Sequence, residues 1–124
     1  MRVSATVLIA EDDHVLRYAL CKTLSTAGYN VLVAANGREA LEIAGTHTGV
    51  INLLCTDLEM PPGIDGLELG RRLIAQRPEI KMLYLTGGQM ETPSLLRKPF
   101  TSEELMAKVH QVLQPPFDPG LTTR

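Results

Sequence analysis

The chain is poor in cysteine, has no basic stretch and contains no long apolar run, and each absence excludes a class of protein. Two cysteines in 124 residues, Cys21 and Cys55, cannot make a disulfide scaffold. Cys55 falls in an apolar run and Cys21 in a predicted helix, so both read as small core residues. The net charge is −2 and the lysines and arginines are scattered. A nucleic-acid surface needs them clustered, so no direct nucleic-acid contact is expected. No apolar run approaches the length of a membrane span. The first residues lack the charged region and apolar core of a secretory signal, and the expected compartment is the cytoplasm. There are no internal repeats.

What is present is ordinary for a globular domain: 44% hydrophobic and 21% charged residues. The length suits one domain with a real core. Residues 1–5 read as an N-terminal tail and 6–114 as the folded domain. Residues 115–124, with three prolines and a glycine, read as a mobile tail or linker.

Strand-like and helix-like segments alternate, which predicts an α/β fold with a mostly parallel sheet. The strands are expected near Val7 to Ala10, Tyr29 to Ala35, Ile51 to Thr56, Met82 to Thr86 and Leu95 to Arg97. Helices are expected from His14 to Ala27, after Asn36-Gly37, from Asp65 to Gln76, and after Thr101. Gly28 stops the first helix. Asp13 reads as its N-cap. Thr101 and Glu104 have capping-box spacing, with Phe100 and Leu105 placed for a hydrophobic staple. His14, His47 and His110 match no metal-ligand spacing and read as surface residues.

Three apolar runs end in charge. Val7-Leu8-Ile9-Ala10 runs into Glu11-Asp12-Asp13. The run from Val50 to Thr56 ends at Asp57. Leu95-Leu96 runs into Arg97-Lys98-Pro99. In a parallel sheet all strand C-termini share one edge, and open α/β sheets bind ligands beyond it. Acids from two strands and a lysine from a third should therefore meet. Mg²⁺ takes carboxylate oxygens and keeps several waters, so Glu11, Asp12 and Asp57 could hold it. A cation would relieve the cost of packing like charges. An aspartate can attack phosphorus to give an aspartyl phosphate. Lys98 could neutralise phosphoryl oxygens, and Thr86, at the end of the fourth strand, offers them a hydroxyl.

Glu11-Asp12, Asp57 followed by Met60-Pro61 and Asp65-Gly66, Leu85-Thr86-Gly87 and Lys98-Pro99-Phe100 occur in that order. Together they closely resemble the receiver domain of two-component response regulators, from about Val7 to Leu113. The resemblance implies a flavodoxin-like doubly wound sheet of strand order 2-1-3-4-5. It implies that Asp57 is the phosphoacceptor and that Asp12 holds Mg²⁺ directly, Glu11 mainly through water. It adds the backbone carbonyl of Glu59 as a metal ligand, Thr86 as a switch hydroxyl, and a cis bond between Lys98 and Pro99. The phosphoryl donor would be a phosphohistidine on a histidine kinase or histidine phosphotransfer domain. The protein would be a switch more than an enzyme.

Three features depart from the family. The loop Pro61-Pro62-Gly63-Ile64-Asp65 carries one residue more than the commonest receiver loop, as in receivers of hybrid histidine kinases. Leu95 replaces the usual aromatic residue three before the lysine. Only eleven residues, 87–97, separate Thr86 from Lys98, too few for the usual fourth helix plus a strand. That helix is expected to be missing or a single turn, with Gly87 to Ser94 irregular and mobile. Its loss is expected to uncover the sheet near Leu83, Leu85 and Leu96, where a downstream protein or a second copy would bind.

Two other functions compete. A phosphatase of the haloacid dehalogenase type also uses a strand-end Asp, a Thr or Ser, a Lys and Mg²⁺. However, Asp57-Leu58-Glu59 lacks its second aspartate, and there is no room for a substrate cap. A non-phosphorylated interaction module on the same fold would not need the intact acids, Thr86 and Lys98.

Overall fold

The computed structural model describes residues 5–61, 63–88 and 94–114. In chain order these form β1 (Thr6–Ala10), α1 (His14–Thr26), β2 (Asn30–Ala34), α2 (Gly37–Thr46), β3 (Leu53–Asp57), α3 (Gly66–Gln76), β4 (Lys81–Thr86), β5 (Leu95–Arg97) and α4 (Ser102–Leu113). The strands make one parallel sheet in the order β2-β1-β3-β4-β5. This is the expected flavodoxin-like architecture. The expected tail 115–124, most of the 1–5 tail, and the core of the Gly87 to Ser94 segment lie outside the described residues. Among the described residues no helix separates β4 from β5, and α4 is the last helix of the fold.

β1 and β3 are central, and every residue of both is buried. That is why they read as continuous apolar runs and not as alternating ones. The helices begin where local chemistry favours it. The Asp13 carboxylate accepts from Val15 N and Leu16 N at the start of α1. Asn36 and Asp65 cap α2 and α3 in the same way. Thr101 and Glu104 complete a capping box on α4. Gly28, with φ +103°, terminates α1 in the left-handed conformation that glycine tolerates best.

Two apolar clusters cover the two sheet faces. One, under α2 and α3, includes Leu8, Leu54, Leu69 and Leu73. The other, under α1 and α4, includes Ile9, Cys55, Leu20 and Leu105, with Phe100 packed against it. Leu83 and Leu85 belong to this second cluster and are fully buried. The expectation that the sheet is uncovered at Leu83 and Leu85 is therefore wrong, and Leu96 is partly buried against the same cluster. Strand side chains alternate between faces, and these two leucines point beneath α1 and α4. The α3 side of β4 carries Met82 and Tyr84. The Tyr84 hydroxyl sits over buried Gly70, where a Cβ would lie 2.6 Å from it.

Smaller differences concern β3. It starts at Leu53 and includes Asp57 as its last residue, whereas Val50 is 69% exposed and lies outside it. The longer loop after β3 turns at Gly63, φ +111°. It seats Ile64 against Gly37, where any Cβ would collide with the isoleucine.

Arg77, the C-cap residue of α3, ties the end of α3 to the end of α2 and the connection that follows it. Its guanidinium donates to the carbonyls of Gly49, Ala44 and His47 at 2.8, 2.9 and 2.7 Å. Arg77→Met leaves these carbonyls to water and is expected to cost about 2 kcal/mol. Urea unfolding should show a lower midpoint at unchanged slope. A change within about 0.5 kcal/mol would mean that the guanidinium contributes no more than an ordinary surface group.

Candidate functional site

The C-terminal ends of β1, β3 and β5 bring four of the expected residues together. Carboxylate oxygens of Glu11, Asp12 and Asp57 lie within 4.8 Å of one another. Lys98 Nζ lies 3.0 Å from Asp57 Oδ2 and 3.7 Å from Glu11 Oε1. Sheet register explains the meeting. Ala10 pairs with Thr56, Asp57 with Leu85 and Thr86 with Arg97, so each charged residue emerges just at or beyond its strand end. The Lys98–Pro99 bond is cis, as the family resemblance implied.

The four groups have unlike surroundings. Asp57 is 6% exposed, and its Oδ1 accepts from Glu59 N at 3.2 Å. Glu11 is fully buried. Its Oε2 accepts from Asp13 N at 3.1 Å, and its Oε1 has no hydrogen-bond partner. Burial pushes the Glu11 carboxyl up to about 7. The Asp13 amide and Lys98 pull it down, and the Asp57 charge adds to the rise. Asp12, in contrast, is exposed. Burial would lower the Lys98 ammonium, but its Asp57 hydrogen bond and the charge of Glu11 hold it above its ordinary value. Three clustered carboxylates with one buried oxygen unsatisfied could hold a small divalent cation.

Thr86 and Glu59 adjoin the cluster in a different manner. Thr86 is 3% exposed. Its hydroxyl accepts from Gly88 N at 3.0 Å, and its carbonyl accepts from Lys98 N at 2.7 Å. Glu59 reaches Asp57 through its N–H, and its side chain is exposed. Two residues beside the site had no assigned physical role in the sequence. Gly66 starts α3 so close to β3 that any Cβ would overlap the Asp57 carbonyl. Arg17 donates to the Glu11 carbonyl at 2.8 Å and to that of Asp12 at 3.4 Å. Gly66 was visible as part of a motif, but nothing local in the sequence signals a side chain that binds a neighbouring turn's carbonyls. Cys55, two residues before Asp57, is wholly buried, and burial pushes its thiol up to about 12.

Residues 7–110 match the response regulator receiver domain family. The chain belongs to that family. The response regulator receiver protein CpdR of Brucella abortus is 34% identical over 117 residues, which cover 86% of this chain and 95% of that protein. The sensor kinase CckA of the same species is also 34% identical, over 90% of this chain, but the chain spans only 13% of that kinase. A crystal structure of the receiver domain from the hybrid histidine kinase CckA matches with a TM-score of 0.80. It is 34% identical and covers 89% of this chain and all of that one. The chemotaxis protein CheY4 of Vibrio cholerae matches at 0.81 and 29% identity, over 90% of this chain and 100% of that one. The receiver thus shares its similarity between a stand-alone regulator and a hybrid kinase. No helix among its described residues is long and apolar enough to cross a membrane.

Proposed function

We propose that this receiver takes a phosphoryl group onto Asp57, with Mg²⁺, from the phosphohistidine of a histidine kinase or histidine phosphotransfer domain. The observation that carries this is the convergence of Glu11, Asp12, Asp57 and Lys98 at one sheet edge. The Glu11 Oε1, which has no hydrogen-bond partner, and the clustered charges fit a cation. Glu11, Asp12, Asp57 and the Glu59 carbonyl would hold it, and when bound it supplies positive charge at the phosphoryl oxygens.

In this reading an Asp57 carboxylate oxygen forms the new bond to phosphorus as the bond from phosphorus to the imidazole nitrogen breaks. The freed nitrogen keeps the electron pair. Lys98 moves its ammonium contact from Asp57 to a phosphoryl oxygen. Such transfer needs mainly positioning and charge neutralisation, which these groups provide. The Thr86 hydroxyl would leave Gly88 N and turn towards the phosphoryl group, altering the segment after β4. The output is a changed surface for a downstream protein or a second copy, and turnover of a free substrate has no part in it. Family membership favours this reading over a haloacid dehalogenase-type phosphatase.

The test is an intact-mass measurement after incubation with a small acyl phosphate and Mg²⁺. One phosphoryl adduct is expected with Mg²⁺ and none with excess chelator. No adduct from any donor would favour a non-phosphorylated interaction module.

A further inference from the structure

We infer that Arg17 is a positioning residue for the metal-binding turn, holding Glu11 and Asp12 through their backbone carbonyls. The inference rests on the Mg²⁺ reading proposed above and adds a residue to it. Arg17 stands in the first turn of α1, its N–H bonded to the Asp13 carbonyl at 2.8 Å. Side chains on a helix lean towards its N-terminus. A long side chain at this position therefore reaches back over the turn it follows. Its Nη1 meets the Glu11 carbonyl at 2.8 Å and the Asp12 carbonyl at 3.4 Å. One residue thus gathers three successive carbonyls, two by side chain and one by backbone.

The same turn is fastened on its other sides. Glu11 N donates to the Ala34 carbonyl at 3.1 Å, and Asp13 N donates to Glu11 Oε2. Holding the carbonyls holds the peptide planes, and these set the directions in which the Glu11 and Asp12 side chains leave the backbone. A guanidinium suits the task because it offers several donors in a rigid fork, whereas an ammonium is a single point. Groups that orient metal ligands typically change affinity by about 10–100-fold when removed.

Charge and position predict opposite signs. As a positive charge near the cluster, Arg17 repels a cation, so a neutral replacement would tighten Mg²⁺ binding. As a positioning group, its removal weakens binding. Calorimetric Mg²⁺ titration of the full chain decides between them, using wild type, Arg17→Met, Arg17→Lys and Arg77→Met. The expected result is a Kd raised about tenfold or more in Arg17→Met, with a smaller rise in Arg17→Lys. Arg77→Met should lose stability yet keep the wild-type Kd, which separates positioning from a general loosening of the fold. If Arg17→Met does not fold, Arg17→Lys carries the test by the same readout. An unchanged or tighter Kd in the folded Arg17 variants, with wild type binding normally, would overturn this inference alone. Failure of wild type to bind Mg²⁺ would overturn the metal reading and this inference with it.

Discussion

Asp57→Asn is expected to give a folded protein that accepts no phosphoryl group from any donor. Asparagine has nearly the shape of aspartate, and its one side-chain oxygen can keep either the bond that Oδ1 accepts from Glu59 N at 3.2 Å or the bond that Oδ2 accepts from Lys98 Nζ at 3.0 Å. What it lacks is the anionic oxygen that attacks phosphorus. No neighbour replaces it readily. The other buried carboxyl, Glu11, is held towards its neutral form by burial. Asp12 is the exposed acid of the cluster, and it would be occupied with the cation. Intact mass of the two proteins under the same donor and Mg²⁺ checks this. A persisting adduct in Asp57→Asn would place the nucleophile on another residue. The variant should also ease ionisation of Glu11, because the Asp57 charge is one cause of its raised value.

The metal-free protein is expected to lose stability as pH rises, and Mg²⁺ to restore it. Glu11 sits at about 7 in the folded chain against an ordinary 4.5. The folded state therefore binds this proton more tightly than the unfolded one. The stabilisation is complete below pH 4.5 and disappears as pH rises through about 7. For a side chain only 1% exposed, the loss is of the order of 3 kcal/mol. Glu11→Gln should flatten this slope and exceed wild type at pH 8 without metal. Mg²⁺ at a hundredfold excess over its Kd adds about 2.7 kcal/mol to wild type. Asp12→Ala should abolish that gain while staying folded. Urea midpoints at pH 5 and pH 8, each with chelator and with Mg²⁺, give all these values. Equal Mg²⁺ gains in wild type and Asp12→Ala would sink the site assignment, and a metal-free stability that rises from pH 5 to pH 8 by a Glu11-dependent amount would contradict the sign.

The sequence made the site legible because each strand announces its end by a change from apolar to charged. Glu11, Asp57 and Lys98 were placed by that signal alone, given one parallel edge. Two caps were legible for a similar reason: Asp13 and Thr101 act on amides two or three residues away. The error at Leu83 and Leu85 shows the limit. A parallel strand is buried on both faces, so its apolar residues do not say which helix covers them. Val50 misled in the opposite direction, as an apolar residue that continues a run on paper and stands exposed in the fold. Arg17, Arg77 and the Gly37–Ile64 contact join positions whose relation exists only after the chain has folded, by lean of a helix or by loop reach.

The position of Cys55 gives the molecule a built-in clock. Its thiol is wholly inside β3, and a thiol pushed up to about 12 presents almost no thiolate at neutral pH. Cys21 is only half-buried on α1. A thiol-directed reagent therefore meets Cys21 in the native protein, whereas Cys55 becomes available when the sheet centre opens. Fraying at a helix end does not expose it, because Cys55 lies within the apolar cluster beneath α1 and α4, between Ile9 of β1 and Leu83 of β4. The rate at which a second label appears thus counts cooperative opening events at the strand that carries Asp57, on unmutated protein.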